Sequence, residues 1–551
     1  MKPWYPTSNE TEGVHCLPES SVLIRTELLE YISQLPAKRF KAVVLRGPPM
    51  SGKTSLFDLL EFVFKPLDDS PRIASPEANL LRRTFSGIQR LDNPSNYTTG
   101  MLRKELKRGQ LPQILLVDEC SISSEQPLQS GAVEFFRDLK GFLRLSNPAF
   151  FVVCAFVYKN GPVTSGFTFD AEILPLPEPS QQQPGLFLSV EECVHLAKQQ
   201  EIAKPQAVGD LLHRTTAGHP GMVRALIEYL TLNAATGLPA QYLLLRPEFT
   251  TTISKLRIFG CFDLVTEGPE AQDIAKALIR KQNVFQQPSS KILKYFVRRG
   301  LIMDGGTTLA SPMVEQEVIR QLCGNSKPTL PDTLDLSIAQ AIAQMNRKVL
   351  ASNLSAGVSG LPSEYLLSKE FTLACTAFGP HLFPEVGSVF GIAGRADLWI
   401  DGGRDWLIEL MRSDHTQAAE KISEDQKEHL DRLDRTNGSY RELPWKDAAV
   451  VHFHFYQHNK QPMRSPHDLK PFLWLVDVDA STSEITLCHL FEGRFVQENI
   501  AMTALDEHLG PPNLKNRKQE ALFANPAKEI DFEWMKEVGS KVNCYSLFSF
   551  T

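Results

Sequence analysis

The stretch from Val43 to Thr54, VVLRGPPMSGKT, constrains this chain more than any other. Lys41 to Arg46 is a short apolar, β-branched run of the kind that forms a buried parallel strand. Gly47 to Thr54, GPPMSGKT, satisfies G-x-x-x-x-G-K-[ST], and Ser55 to Phe64, SLFDLLEFVF, is apolar at helical spacing. Strand, Gly-rich loop and helix in that order are the context such a loop needs to cradle a phosphate. Gly47 and Gly52 let backbone N–H groups turn inward, and the helix behind adds the positive end of its dipole. Lys53 then reaches the β- and γ-phosphates and the Thr54 hydroxyl ligates Mg²⁺, with Pro48, Ser51, Gly52 and Ser55 completing the loop that holds a nucleotide, ATP or GTP.

The bulk numbers limit what surrounds that loop. A chain of 551 residues is too long for one core, and about three or four domains is the expectation. A net charge of −6 and a pI near 6.2 exclude nucleic-acid binding by the whole surface, so any DNA contact needs a local patch. Nine cysteines without a C-x-x-C fit a reducing compartment and give no zinc pattern. The first twenty residues hold no apolar signal segment, and the longest apolar run, Ala149 to Tyr158, is too short to span a bilayer. An intracellular, soluble chain with no membrane partner is expected.

Along the chain, 1–37 reads as a polar arm followed by an amphipathic helix over Ser21 to Leu35. The span 38–180 reads as a parallel-sheet core: two helical stretches and a loop over Pro71 to Tyr97, a strand ILLV, a helix over Gly131 to Leu143, and a buried strand AFFVVCAFVY. Phe169 to Ser180 is read as carrying the chain out of the sheet. The strand ILLV runs into Asp118 and Glu119, which resembles the Walker-B strand of NTPases. In that role Asp118 holds the Mg²⁺ water shell and Glu119 polarises the attacking water.

From 181 to 245 the period is helical, with Ser189 and Glu192 spaced as a capping box. The turn Gly218-His219-Pro220-Gly221 resembles the lid of AAA+ and STAND ATPases, which implies that Pro220 closes over the nucleotide. Over 246–325, short helices, LI, a Gly-Gly turn and TLA suggest a winged helix. Gly324 to Thr333, GNSKPTLPDT, reads as a linker.

The span 334–551 carries a second constellation. GRADLWI and WLIELMR read as paired strands around a turn at Gly402-Gly403, with Asp397 and Glu409 on neighbouring strands. Two such carboxylates can each give an oxygen to Mg²⁺, with a scissile phosphate completing the shell. The pattern resembles the PD-(D/E)xK restriction-endonuclease fold, which implies Glu370, with Glu364 as the lesser alternative, as a third metal ligand. The lysine two positions after Glu409 is replaced by Met411, and Lys421 on the following helix (Ser413 to Tyr440) is the candidate substitute. His452, His454 and His458 on AVVHFHFYQH alternate as metal ligands on a strand can, but read more readily as exposed residues or residues satisfied by neighbours.

The fold class expected is therefore α/β: a P-loop NTPase parallel sheet with helical lid and winged helix, then an α/β restriction-endonuclease-like domain. The combination from Lys41 to Phe455 resembles the Crinkler effectors. That resemblance implies a nucleotide-gated, Mg²⁺-dependent DNA endonuclease of toxin type, delivered into a host cell and its nucleus although no ubiquitin-like header is read here. A homo-oligomer through the NTPase and a protein partner that releases the switch are left open by the residues. The alternative from the residues alone is a non-catalytic nucleotide switch whose C-terminal domain is a binding module.

Overall fold

The computed structural model describes residues 23, 25–38, 40–47, 50–64, 76–91, 112–117, 139, 150–157, 171–174, 185–256, 258–259, 264–282, 293, 296, 300–302, 308–323, 333–346, 363–376, 382–384, 396–401, 403–414, 417–441, 443–456, 469–479, 484–491 and 494–500. The β-branched run before the Gly-rich loop forms β1 (Ala42–Gly47), with Val43, Val44 and Leu45 buried. It belongs to a five-stranded sheet with β2 (Gly87–Leu91), β3 (Gln113–Val117), β4 (Phe150–Val157) and β5 (Ala171–Leu174), in the order β2-β3-β4-β1-β5. Every pairing is parallel, so β1 and β3 end on the same edge, and β4 lies between them.

Helices α1 (Thr26–Gln34), α2 (Lys53–Phe64) and α3 (Pro76–Thr84) accompany this sheet. Leu28, Leu29 and Ile32 of α1, Phe57 and Leu60 of α2 and Leu81 of α3 share a core with Val43, Leu116 and Val153. Truncating wholly buried Phe57 to Ala is expected to cost about 3–5 kcal/mol. Arg90 on β2 reaches the buried Asp58 of α2 and ties this edge strand to the loop's own helix.

The helices that follow use one device repeatedly. After α4 (Val190–Gln199), the helices α5 (Pro205–Thr216), α6 (Pro220–Asn233), α7 (Pro247–Ser254), α8 (Pro269–Ile279) and α9 (Pro312–Leu322) each begin on proline. Its fixed φ suits the first turn, and the N–H it lacks would have no partner there. Two short helical turns, Ala240–Leu243 and Leu264–Glu267, lie among them, and an antiparallel bridge joins Ile302 to Leu309.

After α10 (Leu334–Gln344) and α11 (Glu364–Cys375), a seven-stranded mixed sheet closes the described chain. Its strands are β6 (Leu382–Pro384), β7 (Leu398–Ile400), β8 (Trp406–Asp414), β9 (Asp447–Tyr456), β10 (Leu473–Asp479), β11 (Ile485–Phe491) and β12 (Arg494–Ile500), ordered β12-β11-β10-β9-β8-β7-β6. The central trio β8, β9 and β10 is parallel and the flanking pairs are antiparallel. Helix α12 (Ala419–Arg432) connects β8 to β9.

The apolar residues divide into two cores. The first is that of the parallel sheet, and it ends at Leu186 and Phe187. The second starts at Leu188 and runs without interruption through α4 to α11 and the mixed sheet. Polar contacts reinforce this continuity across 324–333: Tyr365 donates to the Ile279 carbonyl at 3.0 Å, and buried Lys369 pairs with Glu315 at 2.7 Å. On the far side of the same body, Trp474 donates to Asp335 at 3.0 Å.

Several sequence expectations change. The stretch read as two helices over Pro71 to Tyr97 contains α3 and then strand β2, whose alternation is weak because it is a half-buried edge. Ala171–Leu174 does not leave the sheet but becomes β5, pairing with β1; its four residues were masked in the sequence by the prolines that follow. The helix expected over Ser413 to Tyr440 is α12 alone, because β8 continues through Asp414 to stay paired with β9. The helix expected over Gly131 to Leu143 and the tail after Ile500 lie outside the described residues, apart from helical Leu139.

Candidate functional site

The loop that follows β1 is built from backbone shape. Met50 adopts φ of +61° and Gly52 φ of +86°, left-handed geometry that turns successive peptide groups inward. Ser51 is buried, and the Lys53 ammonium lies 3.2 Å from its hydroxyl oxygen. Lys53 and Thr54 open α2, so a phosphate here would meet a lysine, a hydroxyl and the positive end of a helix. Ser55 is exposed on the same first turn. These residues fit a Mg²⁺-nucleotide. Gly47 is the last residue of β1; Pro48, Asp118 and Glu119 lie outside the described residues, the two carboxylates directly following Val117 of β3 in sequence.

The turn before α6 sits directly on this loop. Gly221 N–H donates to the Met50 carbonyl at 3.0 Å. A Cβ placed on Gly221 would fall 2.5 Å from the Met50 Cβ, and one on Gly52 would fall 3.2 Å from Cγ of Pro220. Pro220 thus touches the phosphate loop through Gly52. The turn itself is fixed from below: Gly218 has φ of +74°, Leu188 N–H donates to its carbonyl at 2.7 Å, and a Cβ there would meet the Leu188 oxygen at 2.2 Å. His219 is buried, with its ring centroid 5.1 Å from that of Phe187.

The second constellation has a different character. Asp397 and Glu409 are neighbours across the β7–β8 ladder, since Asp397 N–H donates to the Ile408 carbonyl at 3.1 Å and Asp397 Oδ2 accepts from Leu410 N–H at 2.7 Å. Glu409 is wholly buried. One of its oxygens accepts from the Tyr440 hydroxyl and the other lies 2.8 Å from Nδ1 of His429, with Arg432 at 3.5 Å. Burial, and then the negative charge of Glu409, push the Tyr440 phenol far above its usual range, so it remains a donor.

Beside it, the Ser413 hydroxyl lies 2.6 Å from Nε2 of His452 and 2.8 Å from Nδ1 of His454, while Gln426 Nε2 is 2.8 Å from Nδ1 of His452. Gln426, His429 and Arg432 all come from α12, which therefore docks on the sheet through polar groups. Lys421 is exposed on the same helix. Glu370, on α11, is buried and forms an ion pair with Arg280 just beyond α8, so its carboxylate serves the second core rather than joining Asp397 and Glu409. Among the described residues no group of three or more His, Cys, Asp or Glu side chains is arranged to hold a metal ion. Cys193 and Cys323 are buried thiols pushed up to about 12 by that burial, which leaves neither as a nucleophile.

Gly221 was legible as part of the lid turn; its partner Met50 was not, because it stands at an unspecified position of the loop motif. Tyr440, His429 and Gln426 escaped sequence reading because nothing local marks which helix face meets the sheet.

No protein-family model matches the chain, and no curated protein matches it. Among solved structures, the Thermotoga maritima RuvB Holliday junction branch migration motor aligns at 15% identity over 53% of this chain and 92% of that one, with a TM-score of 0.28. The Walker-type ATPase of Pyrococcus abyssi aligns at 12% identity over 54% of this chain and 95% of that one, with a TM-score of 0.32. Both likenesses are slight, and the P-loop character of the first half rests on its motif and its parallel sheet. Among the described residues, no helix is long and apolar enough to cross a membrane.

Proposed function

We propose that the chain is a nucleotide-operated switch that binds and hydrolyses ATP or GTP and carries a non-catalytic C-terminal binding module. The observation that carries this reading is the contact of Pro220 and Gly221 with Gly52 and Met50. A loop that must wrap a phosphate is thereby joined, backbone to backbone, to the helical body beyond it. Lys53 would neutralise the terminal phosphates, Thr54 and Asp118 would hold Mg²⁺, and Glu119 would orient the attacking water. The metal, when bound, neutralises charge developing between the phosphates. Because one apolar core runs from Leu188 through the mixed sheet, a displacement of the lid would carry the C-terminal sheet with it. An oligomer formed through the NTPase core and a protein partner that releases the switch belong to the same proposal.

A second reading, the Mg²⁺-dependent DNA endonuclease implied by the Crinkler resemblance, is favoured by the juxtaposition of Asp397 and Glu409. It requires Glu409 to exchange Tyr440 and His429 for a cation and to leave a wholly buried position. The first reading requires no such rearrangement.

The test compares parent protein with Lys53→Ala in nucleotide binding and hydrolysis, and assays the parent on linear duplex DNA with Mg²⁺. Removing a single charged donor from a phosphoryl-transfer site is expected to lower turnover by on the order of 10²–10³-fold. Hydrolysis by Lys53→Ala at the parent rate overturns the NTPase assignment. DNA cleavage by the parent that is lost in Asp397→Ala establishes the endonuclease reading instead.

A further inference from the structure

The two cores meet between Phe187 and Leu188, and one side chain grips the chain at that point. Arg25 stands immediately before α1, whose Leu28, Leu29 and Ile32 belong to the core of the parallel sheet. Its Nε donates to Glu192 Oε1 at 2.7 Å and one terminal nitrogen donates to Glu192 Oε2 at 3.0 Å. The same guanidinium donates to the carbonyls of Leu186 and Phe187, both at 2.9 Å. Four of the five N–H groups of one arginine are thus spent on the crossing strand and on α4, a fork geometry that lysine lacks.

Glu192 is itself fixed. It completes the capping box of α4, accepting from Ser189 N–H at 2.9 Å while Ser189 Oγ accepts from Glu192 N–H at 3.2 Å. Helix α4 belongs to the second core through Cys193 and Ala197. The ion pair is shielded, with side-chain exposures of 12% for Arg25 and 22% for Glu192, so it escapes most of the solvent screening that weakens surface pairs.

From this grip a short series of contacts leads to the phosphate loop. The Phe187 carbonyl is held by Arg25, and the Phe187 ring packs on His219. His219 is followed by Pro220 and Gly221, which touch Gly52 and Met50. Leu188 is bonded through its N–H to the carbonyl of Gly218, closing the other side of the turn. We infer that Arg25 is a positioning residue for the nucleotide site: by clamping Glu192 and the Leu186–Phe187 carbonyls it holds the Pro220–Gly221 turn against the phosphate loop, and so sets how tightly nucleotide is retained. The inference rests on the nucleotide-switch reading for its consequence and on the contacts above for its geometry.

The test uses the full chain in two measurements. In nucleotide-free protein, amide hydrogen exchange is followed over 218–224 for the parent, Arg25→Ala, Arg25→Lys and Gly221→Ala. With mant-ADP and Mg²⁺, release rates are measured for the same set and for the double variant Arg25→Ala/Gly221→Ala. Arg25→Ala is expected to raise exchange at Gly221 and to speed mant-ADP release about tenfold, the loss of one or two charged hydrogen bonds. Arg25→Lys should recover a minor part of that, and Glu192→Gln, which loses the charge and one of the two acceptor oxygens, should fall between the parent and Arg25→Ala in both measurements. The double variant should release no faster than the faster single variant, because both changes open the same contact.

Parent-like exchange at Gly221 in a folded Arg25→Ala protein overturns the inference, as does an additive double variant. If Arg25→Ala does not fold, Gly221→Ala and Arg25→Lys carry the comparison, and parent-like exchange in both overturns it. Failure of the parent to bind mant-ADP overturns the nucleotide reading, while the exchange measurement still decides whether Arg25 holds the turn.

Discussion

The parallel sheet and the mixed sheet each carry a candidate site, yet they handle polar groups in opposite ways. In the first, the candidate site is made of backbone: left-handed Met50 and Gly52, the start of α2, and a lysine whose ammonium lies 3.2 Å from a neighbouring serine hydroxyl. In the second, Glu409 is encircled by Tyr440, His429 and Arg432, and Ser413 by two histidines. A carboxylate whose hydrogen bonds are already made inside the protein stabilises a fold more readily than it binds a cation. The difference teaches that residue type names a candidate, while the donors around it decide its role.

The largest effect expected from pressing this contrast is at Glu409. Glu409→Ala leaves Tyr440 and Arg432 facing a cavity without their acceptor, and is expected to cost about 3–5 kcal/mol of stability. Chemical denaturation in the presence and absence of Mg²⁺ measures it. A variant as stable as the parent, or a parent strongly stabilised by Mg²⁺ through Asp397, would move the second site into the class of the first.

A smaller effect is expected at the junction. Gly218→Ala forces an L-residue to φ of +74° and sets a Cβ 2.2 Å from the Leu188 oxygen. The strain is expected to cost about 1–3 kcal/mol, which thermal melting should show, and nucleotide release should quicken because the same turn seats Pro220 and Gly221 on the phosphate loop. Melting at the parent temperature would mean that the turn below Pro220 is not rigid.

The smallest effect concerns pH. Burial holds the His213 imidazole of α5 below the ordinary value of 6.5, against an opposing pull from Glu191. The folded state therefore binds fewer protons than the unfolded chain between the lowered value and 6.5, so stability rises with pH up to about 6.5 and falls as pH drops through that window. His213→Gln should flatten this part of the profile of urea midpoints. An unchanged slope would show that His213 does not set the acid sensitivity.

The G-x-x-x-x-G-K-T loop, its strand and its helix were legible in the sequence because each is a local arrangement fixed by neighbouring residues and periodicity. So were the capping box at Ser189 and Glu192 and the hairpin bearing Asp397 and Glu409. The strand β5 and the edge strand β2 were not, since four or five residues beside prolines or at a sheet edge acquire strand geometry from the partner they pair with. Nor could the sequence tell that side chains before and after 324–333 pack in one apolar cluster. Which side chains fill a common interior depends on packing between segments far apart in the chain. The same reason separates the two sites: the phosphate loop is defined by dihedral angles that its own residues impose, whereas the role of Glu409 was decided by Tyr440, His429 and Arg432, which only the tertiary structure brings to it.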